Sequence, residues 1–540
     1  MQVNEPLNKP LSYSYTTVFN IGAILLITLA QLGWLAFIMG SKLALVNLLP
    51  AAVFISVWTL FITHYYAHKP LVWFLLLMPV LILNLRLPVT VFHDLQVVNW
   101  LMYLIMAVTV GRHMMGLFSS RKEKLFLVFT VVLLAASAMT HLGLDSPYTY
   151  TFRMMNGLPS AYAGVDNNAT WECAYERPQF PVHCDARHFI ASEKIFTEPG
   201  FNPSYSVVLT RFLHGYLNSL AGLDGTRWWV NLSLNCLFWF FACVCVYRIS
   251  TLLKQSNLVA GLSMLCCASG IGFIDMLAQP LPYLLAYAYG SIAIWATMEL
   301  IYSELDKWRI ALFIILIASV VMVYDAYPLI LACALLLFLD KKKQAAVCIL
   351  LLSVIFTVMW RVFSMKMVLG TQGNSSHGNT GALLMLDVLK WLDVVKTANV
   401  MEFFRLSLIG SLAYLYGNLI IGVVAAWAYI FGVARPATSS HEQKTLLNAL
   451  IILNILVLLA TLFAVPQMTD LSPTTSMQPR LAFYSYPINM IALTLISVAW
   501  LKKYAWITPL ILFIVVNINL SGLTSIDMLF DYGRVGIYWK

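Results

Sequence analysis

Apolar runs recur along almost the whole chain, separated by short polar turns. A helix needs roughly 20 mainly apolar residues to cross a bilayer's hydrocarbon core. That length predicts spans near residues 18–40, 43–63, 70–86, 89–110, 123–141, 229–248, 257–275, 281–301, 308–324, 327–340, 344–364, 405–432, 446–465, 482–500 and 504–521. The expected fold is all-α, a polytopic transmembrane helical protein of about 13–15 spans. The shortest run, Leu329 to Leu339, fits a re-entrant segment or one end of a tilted helix. A polar stretch from Leu142 to Trp228 separates the fifth span from the sixth, a second runs from Ser364 to Phe404, and a shorter one covers Val465 to Pro479. Three regions follow: transmembrane helices over 1–140, a loop domain over 141–228, and a transmembrane core over 229–540 with loops at 364–404 and 465–480.

Composition agrees with membrane as the main solvent. Hydrophobic residues make up 60% of the 540 and charged residues 11%, against roughly 45–50% and about 25% in ordinary globular chains. A soluble multidomain protein is excluded on that ground. The first run, Val18 to Gly40, has spanning length and no small-residue cleavage site after it, so it reads as a span and not as a cleavable signal peptide.

The formal charge of +9 is spread over short turns and not gathered on one face or in a tail, which argues against a nucleic-acid partner. Lys69, the Arg112–Lys124 group, Arg248 with Lys254, Lys307 with Arg309, Lys341 to Lys343, Arg435 with Lys444, and Lys502 with Lys503 fall in alternate loops. The loops between them hold little more than Lys42, Arg86 and Arg480. The positive-inside rule then predicts a cytoplasmic N-terminus, both long loops extracytoplasmic, and an outer tail from Ser521, as in a bacterial inner membrane.

Seven of the nine cysteines lie in apolar spans, where Cys266 and Cys267 read as packing; Cys173 and Cys184 lie in the first outer loop. An oxidising compartment would close those two into a disulfide, and the alternative is a pair of free thiols. No Cys/His cluster has zinc spacing.

Ionisable groups at span ends need a partner or a purpose. On the outer side these are Asp94, Asp145, Asp275, Asp325, Arg405 and Arg480; for each, the plain alternative is a solvated helix end or a structural ion pair. His183, His188 and His214 read as polar surface, and Leu383 to Val395 has the spacing of a helix lying along the outer membrane surface.

The richest stretch begins at His183-Cys184-Asp185-Ala-Arg187-His188-Phe189, continues through Pro203-Ser-Tyr205, and reaches the sixth span by way of Gly222-Leu-Asp-Gly-Thr-Arg227. It resembles the first external loop of the GT-C glycosyltransferases, in particular their protein mannosyltransferase and aminoarabinose transferase branches. There an Asp-x-x-x-aromatic helix precedes a Pro-x-Tyr entry into a membrane-skirting helix. Pro479-Arg480-Leu-Ala-Phe-Tyr484 is similar to the late Pro-Arg-Tyr segment of those enzymes, and Tyr324-Asp325-Ala-Tyr327-Pro328 offers a carboxylate and two aromatics suited to a sugar face or to an interfacial aromatic belt.

The resemblance implies transfer of a sugar from a polyprenyl-phosphate donor to an extracytoplasmic acceptor such as a glycolipid, an envelope polysaccharide or a protein. Asp185 or Asp145 would serve as base. The family keeps its acid soon after its first span, whereas here four more spans come first; this divides the assignment between the two, with local context favouring Asp185. Arg480, with Arg405, would hold the donor phosphate through a planar, permanently charged fork. Asp325, Tyr324, Tyr327, Arg187 and Tyr484 would line the substrate site. Some relatives use a divalent metal such as Mg or Mn and others none, so cofactor need stays open. Two other function classes remain: a transporter or flippase for a lipid-linked glycan, and a noncatalytic assembly factor.

Overall fold

The computed structural model of the protein describes residues 120–143, 224–270, 283–323, 326–369, 392–435, 440–464 and 484–522. These residues are 87% helical with no strand. The helices are α1 (Arg121–Gly143), α2 (Asp224–Leu252), α3 (Asn257–Gly270), α4 (Tyr283–Tyr302), α5 (Lys307–Ala318), α6 (Tyr327–Leu339), α7 (Lys343–Leu369), α8 (Val400–Gly417), α9 (Ile420–Ile430), α10 (His441–Ala464), α11 (Tyr486–Leu501) and α12 (Ile507–Gly522). Spans expected before residue 120 and most of the first outer loop lie outside the described residues.

Several helices begin where side chains satisfy the free N–H groups of the first turn. Ser120 and Glu123 form a reciprocal capping box at α1, with bonds of 2.8 and 3.2 Å. Ser440 and Gln443 repeat it at α10. Ser256 accepts from the Val259 N–H ahead of α3, and Asp306 accepts from the Arg309 N–H at 2.8 Å ahead of α5.

α4 lies at the centre, packed by α2, α5 and α6, while α3 is packed by α1, α2, α11 and α12. Polar residues fasten one end of this bundle. Lys254, after α2, pairs with Glu442 at the start of α10. Asp340, after α6, meets His441 at 3.1 Å, and the last residue of α4, Tyr302, stacks edge-on against the His441 ring. Near that end Glu299 of α4 accepts from the Trp295 indole at 3.0 Å and from the Ser303 hydroxyl, with Arg248 at 3.9 Å. A buried carboxylate is thereby given donors and a countercharge.

Among the described residues, three helical segments are long and apolar enough to cross a membrane: Asn235–Leu252, Leu284–Tyr302 and His441–Phe463. α11 and α12 together make a fourth if counted as one bent span. The expectation from sequence is met at this coarser level: the described residues are mostly helical, with no strand, and include apolar helices of spanning length.

Two boundaries and one angle between helices differ from expectation. The run at 405–432 is two helices, because the chain breaks at Asn418 and Leu419, with Leu419 at φ +52°. A leucine in that conformation costs on the order of 1–3 kcal/mol and persists only where its surroundings hold it. Second, α11 and α12 are bent by 111°, around a tight turn at Lys502–Tyr504. Third, α7 continues to Leu369 and α8 begins at Val400, which shortens the loop expected over 364–404; residues 392–396, at the end of the surface helix expected over 383–395, are helical and mostly exposed.

Candidate functional site

Two helices that start away from the fastened end begin differently. α6 opens Tyr327-Pro328 and α11 opens Tyr486-Pro487, and no side chain caps either one. Proline suits the first turn because its missing N–H has no helical partner there. The remaining N–H groups, with the helix dipole, make such a start an electropositive point.

Both starts converge on Gly290 of α4. The side chains of Tyr484 and Leu329 come so close that a Cβ built on Gly290 would stand 2.9 Å from Tyr484 Cδ1 and 3.3 Å from Leu329 Cδ2. Glycine is needed there for close approach and not for its backbone angle. Tyr484 is buried against this contact, and Tyr327, half-buried at the head of α6, donates a long hydrogen bond of 3.5 Å to Thr357 of α7. Of the residues singled out from sequence, these two have described side chains, and their segments are brought together.

The remaining candidates are placed less far. Arg405 falls in the second turn of α8, whose backbone is described while that side chain is not. Asp145, Asp185, Arg187, Tyr324, Asp325, Arg480, Cys173 and Cys184 lie outside the described residues. Two flanks are nevertheless fixed: Ala326, next to Asp325, is fully buried, and so are Tyr484 and Tyr486, a few residues after Arg480.

Behind the α11 start lies a polar cluster that the sequence reading passed over. Asn454 of α10 and Asn489 of α11 exchange two amide hydrogen bonds, of 2.8 and 2.9 Å. Asn489 also donates to Asn418 at 3.0 Å, as does the Ser485 hydroxyl. Tyr414 of α8 donates to Asn454 at 2.6 Å, and Asn454 donates to the Leu450 carbonyl at 2.8 Å. All five residues are buried. The cluster sits at the break between α8 and α9 and ties it to α10 and α11; Gly422 lets α9 approach Met490 closely. The available signal was three asparagines standing in otherwise apolar runs, each of which needs a partner at such depth.

A second buried group joins α3 to α4 and α11. Cys267 and the Tyr287 hydroxyl are 2.7 Å apart, and the Tyr287 ring meets the Tyr486 ring edge-on at 6.0 Å. The described cysteines are all free thiols. Among the described residues no group of three or more His, Cys, Asp or Glu side chains is placed to hold a metal. Compared with protein-family models, characterised proteins and solved structures, the chain matches none.

Proposed function

We propose that the protein is a polytopic membrane glycosyltransferase of GT-C type, with about 13–15 spans, that moves a sugar from a polyprenyl-phosphate donor to an extracytoplasmic acceptor. The observation that carries this reading is the meeting of Tyr484 and Leu329 across Gly290. It joins the chain next to Tyr324-Asp325 to the chain next to Pro479-Arg480, the two motifs assigned to sugar and to donor phosphate. Two uncapped helix starts at the same contact supply an electrostatic setting that favours an anion.

In this scheme Asp185, or Asp145, takes the proton of the acceptor hydroxyl or amine as its heteroatom attacks the anomeric carbon. The bond from that carbon to the phosphate oxygen breaks, and its electron pair leaves on the polyprenyl phosphate. Arg480 and Arg405 neutralise the departing phosphate. Asp325, Tyr324, Tyr327, Tyr484 and Arg187 hold the sugar and acceptor. A transporter would also use a helix break such as that between α8 and α9, but there the Asn418, Asn454 and Asn489 amides are committed to one another and to Tyr414 and Ser485.

The test is transfer of labelled sugar from polyprenyl-phosphate donors by the purified full chain. Replacing the base, by Asp185→Asn or Asp145→Asn, is expected to slow turnover roughly 10²–10⁴-fold, and Arg480→Gln roughly 10²–10³-fold. Full activity in both aspartate variants would remove the proposed mechanism.

A further inference from the structure

The turn that joins α11 to α12 is built unlike the rest of the fastened end. Lys502 to Tyr504 form one tight 3-10 turn, followed by Ala505, which is buried beside Leu262 and Leu265 of α3. That small anchor turns the larger neighbours outward: Trp500, Tyr504 and Trp506 are 71%, 52% and 58% exposed. Lys502 and Lys503 are exposed with them, and the Lys503 ammonium lies 4.9 Å from the Tyr504 ring centre. The sequence holds no acidic residue from Tyr484 to Ile526, so the two charges have no local countercharge along the chain.

We propose that this turn is a docking site for anionic phospholipid headgroups. Indole and phenol rings each join an apolar body to a polar tip, which suits the headgroup level of a bilayer. Leu501, Leu510 and Ile511, exposed on the adjoining helices, suit the hydrocarbon beneath. Paired ammonium groups between these layers add an attraction for negative headgroups. An acidic protein partner would satisfy the lysines but would leave the flanking leucine and isoleucine side chains without an apolar medium. The proposal rests on the membrane residence within the function proposed above and is independent of its chemistry.

The experiment reconstitutes the full chain into phosphatidylcholine vesicles with a minority of phosphatidylglycerol, brominating one lipid or the other. The signal is the tryptophan emission that Trp500→Phe/Trp506→Phe removes. Brominated phosphatidylglycerol is expected to quench it beyond its bulk share, with an association constant relative to phosphatidylcholine raised roughly five-fold per lysine. Lys502→Gln/Lys503→Gln should return quenching to that share, and Lys502→Arg/Lys503→Arg should keep the enrichment. Quenching at bulk share in the unmodified chain, or enrichment that survives the glutamine pair, overturns the site while leaving membrane residence standing. Absence of quenching by either lipid overturns both.

Discussion

α4 and α10 are both long enough to cross a bilayer, yet they bury themselves in opposite measure. The α10 segment has a mean hydropathy of 2.6 with 39% of it buried; the α4 segment has 1.4 with 89% buried. In water the more exposed helix would be the more polar one. Here the exposed helix shows Ile455, Leu459 and Phe463, while the enclosed one carries Tyr287, Tyr289, Ser291, Thr297 and Glu299 inward. Tyr289 bonds Ser319 at 2.8 Å, Ser291 and Thr297 bond carbonyls one turn back, and Glu299 has Trp295 and Ser303. Polar groups are turned inward and satisfied within α4 and at its end or, for Tyr287 and Tyr289, by Cys267 of α3 and the chain after α5, and apolar ones are turned outward, an ordering that suits hydrocarbon as the surrounding solvent.

The sharpest way to break that comparison is Ile455→Arg on the exposed face of α10. In hydrocarbon it should cost about 2.5–3.5 kcal/mol of insertion free energy, read by a glycosylation-mapped insertion assay. A water-facing site would register within about 0.5 kcal/mol, and that result would reverse the assignment of solvent. Next in size is Asn454→Ala, which removes a partner from Asn489 and Tyr414. It should lower stability in detergent by about 2 kcal/mol, and Asn454→Leu/Asn489→Leu should lose less because no orphaned amide partner is left between them. Gly290→Ala pushes a methyl toward the Tyr484 ring and should cost about 1 kcal/mol by thermal unfolding. Gly422→Ala should cost less than about 0.5 kcal/mol, because the atom it meets at 2.7 Å is the flexible end of Met490.

How much could be read from sequence follows the range of each interaction. Helix positions were legible wherever a continuous apolar run was bounded by charge, as for α4 between its loop and Lys307, or α7 after Lys341 to Lys343. The break at Leu419 was not, because Gly417-Asn418 is a short interruption in a run of apolar residues longer than one span, and what holds the break is the bonding of Asn418 to Asn489 and Ser485, remote in sequence. The same limit applies to the site. Tyr327 and Tyr484 stood out as aromatics beside Pro and charge, whereas Gly290, where their segments meet, is one small residue in an apolar helix.

The amide cluster has a consequence for synthesis. Asn418 and Asn489 are 71 residues apart, and translation at 5–20 residues per second separates their appearance by about 4–14 s. During that interval α8, α9 and α10 exist without the partner that fixes the break between the first two. Until α11 arrives, Asn454 has Tyr414 and the Leu450 carbonyl, while the Asn418 side-chain oxygen, which accepts from Ser485 and Asn489, must find another partner or water.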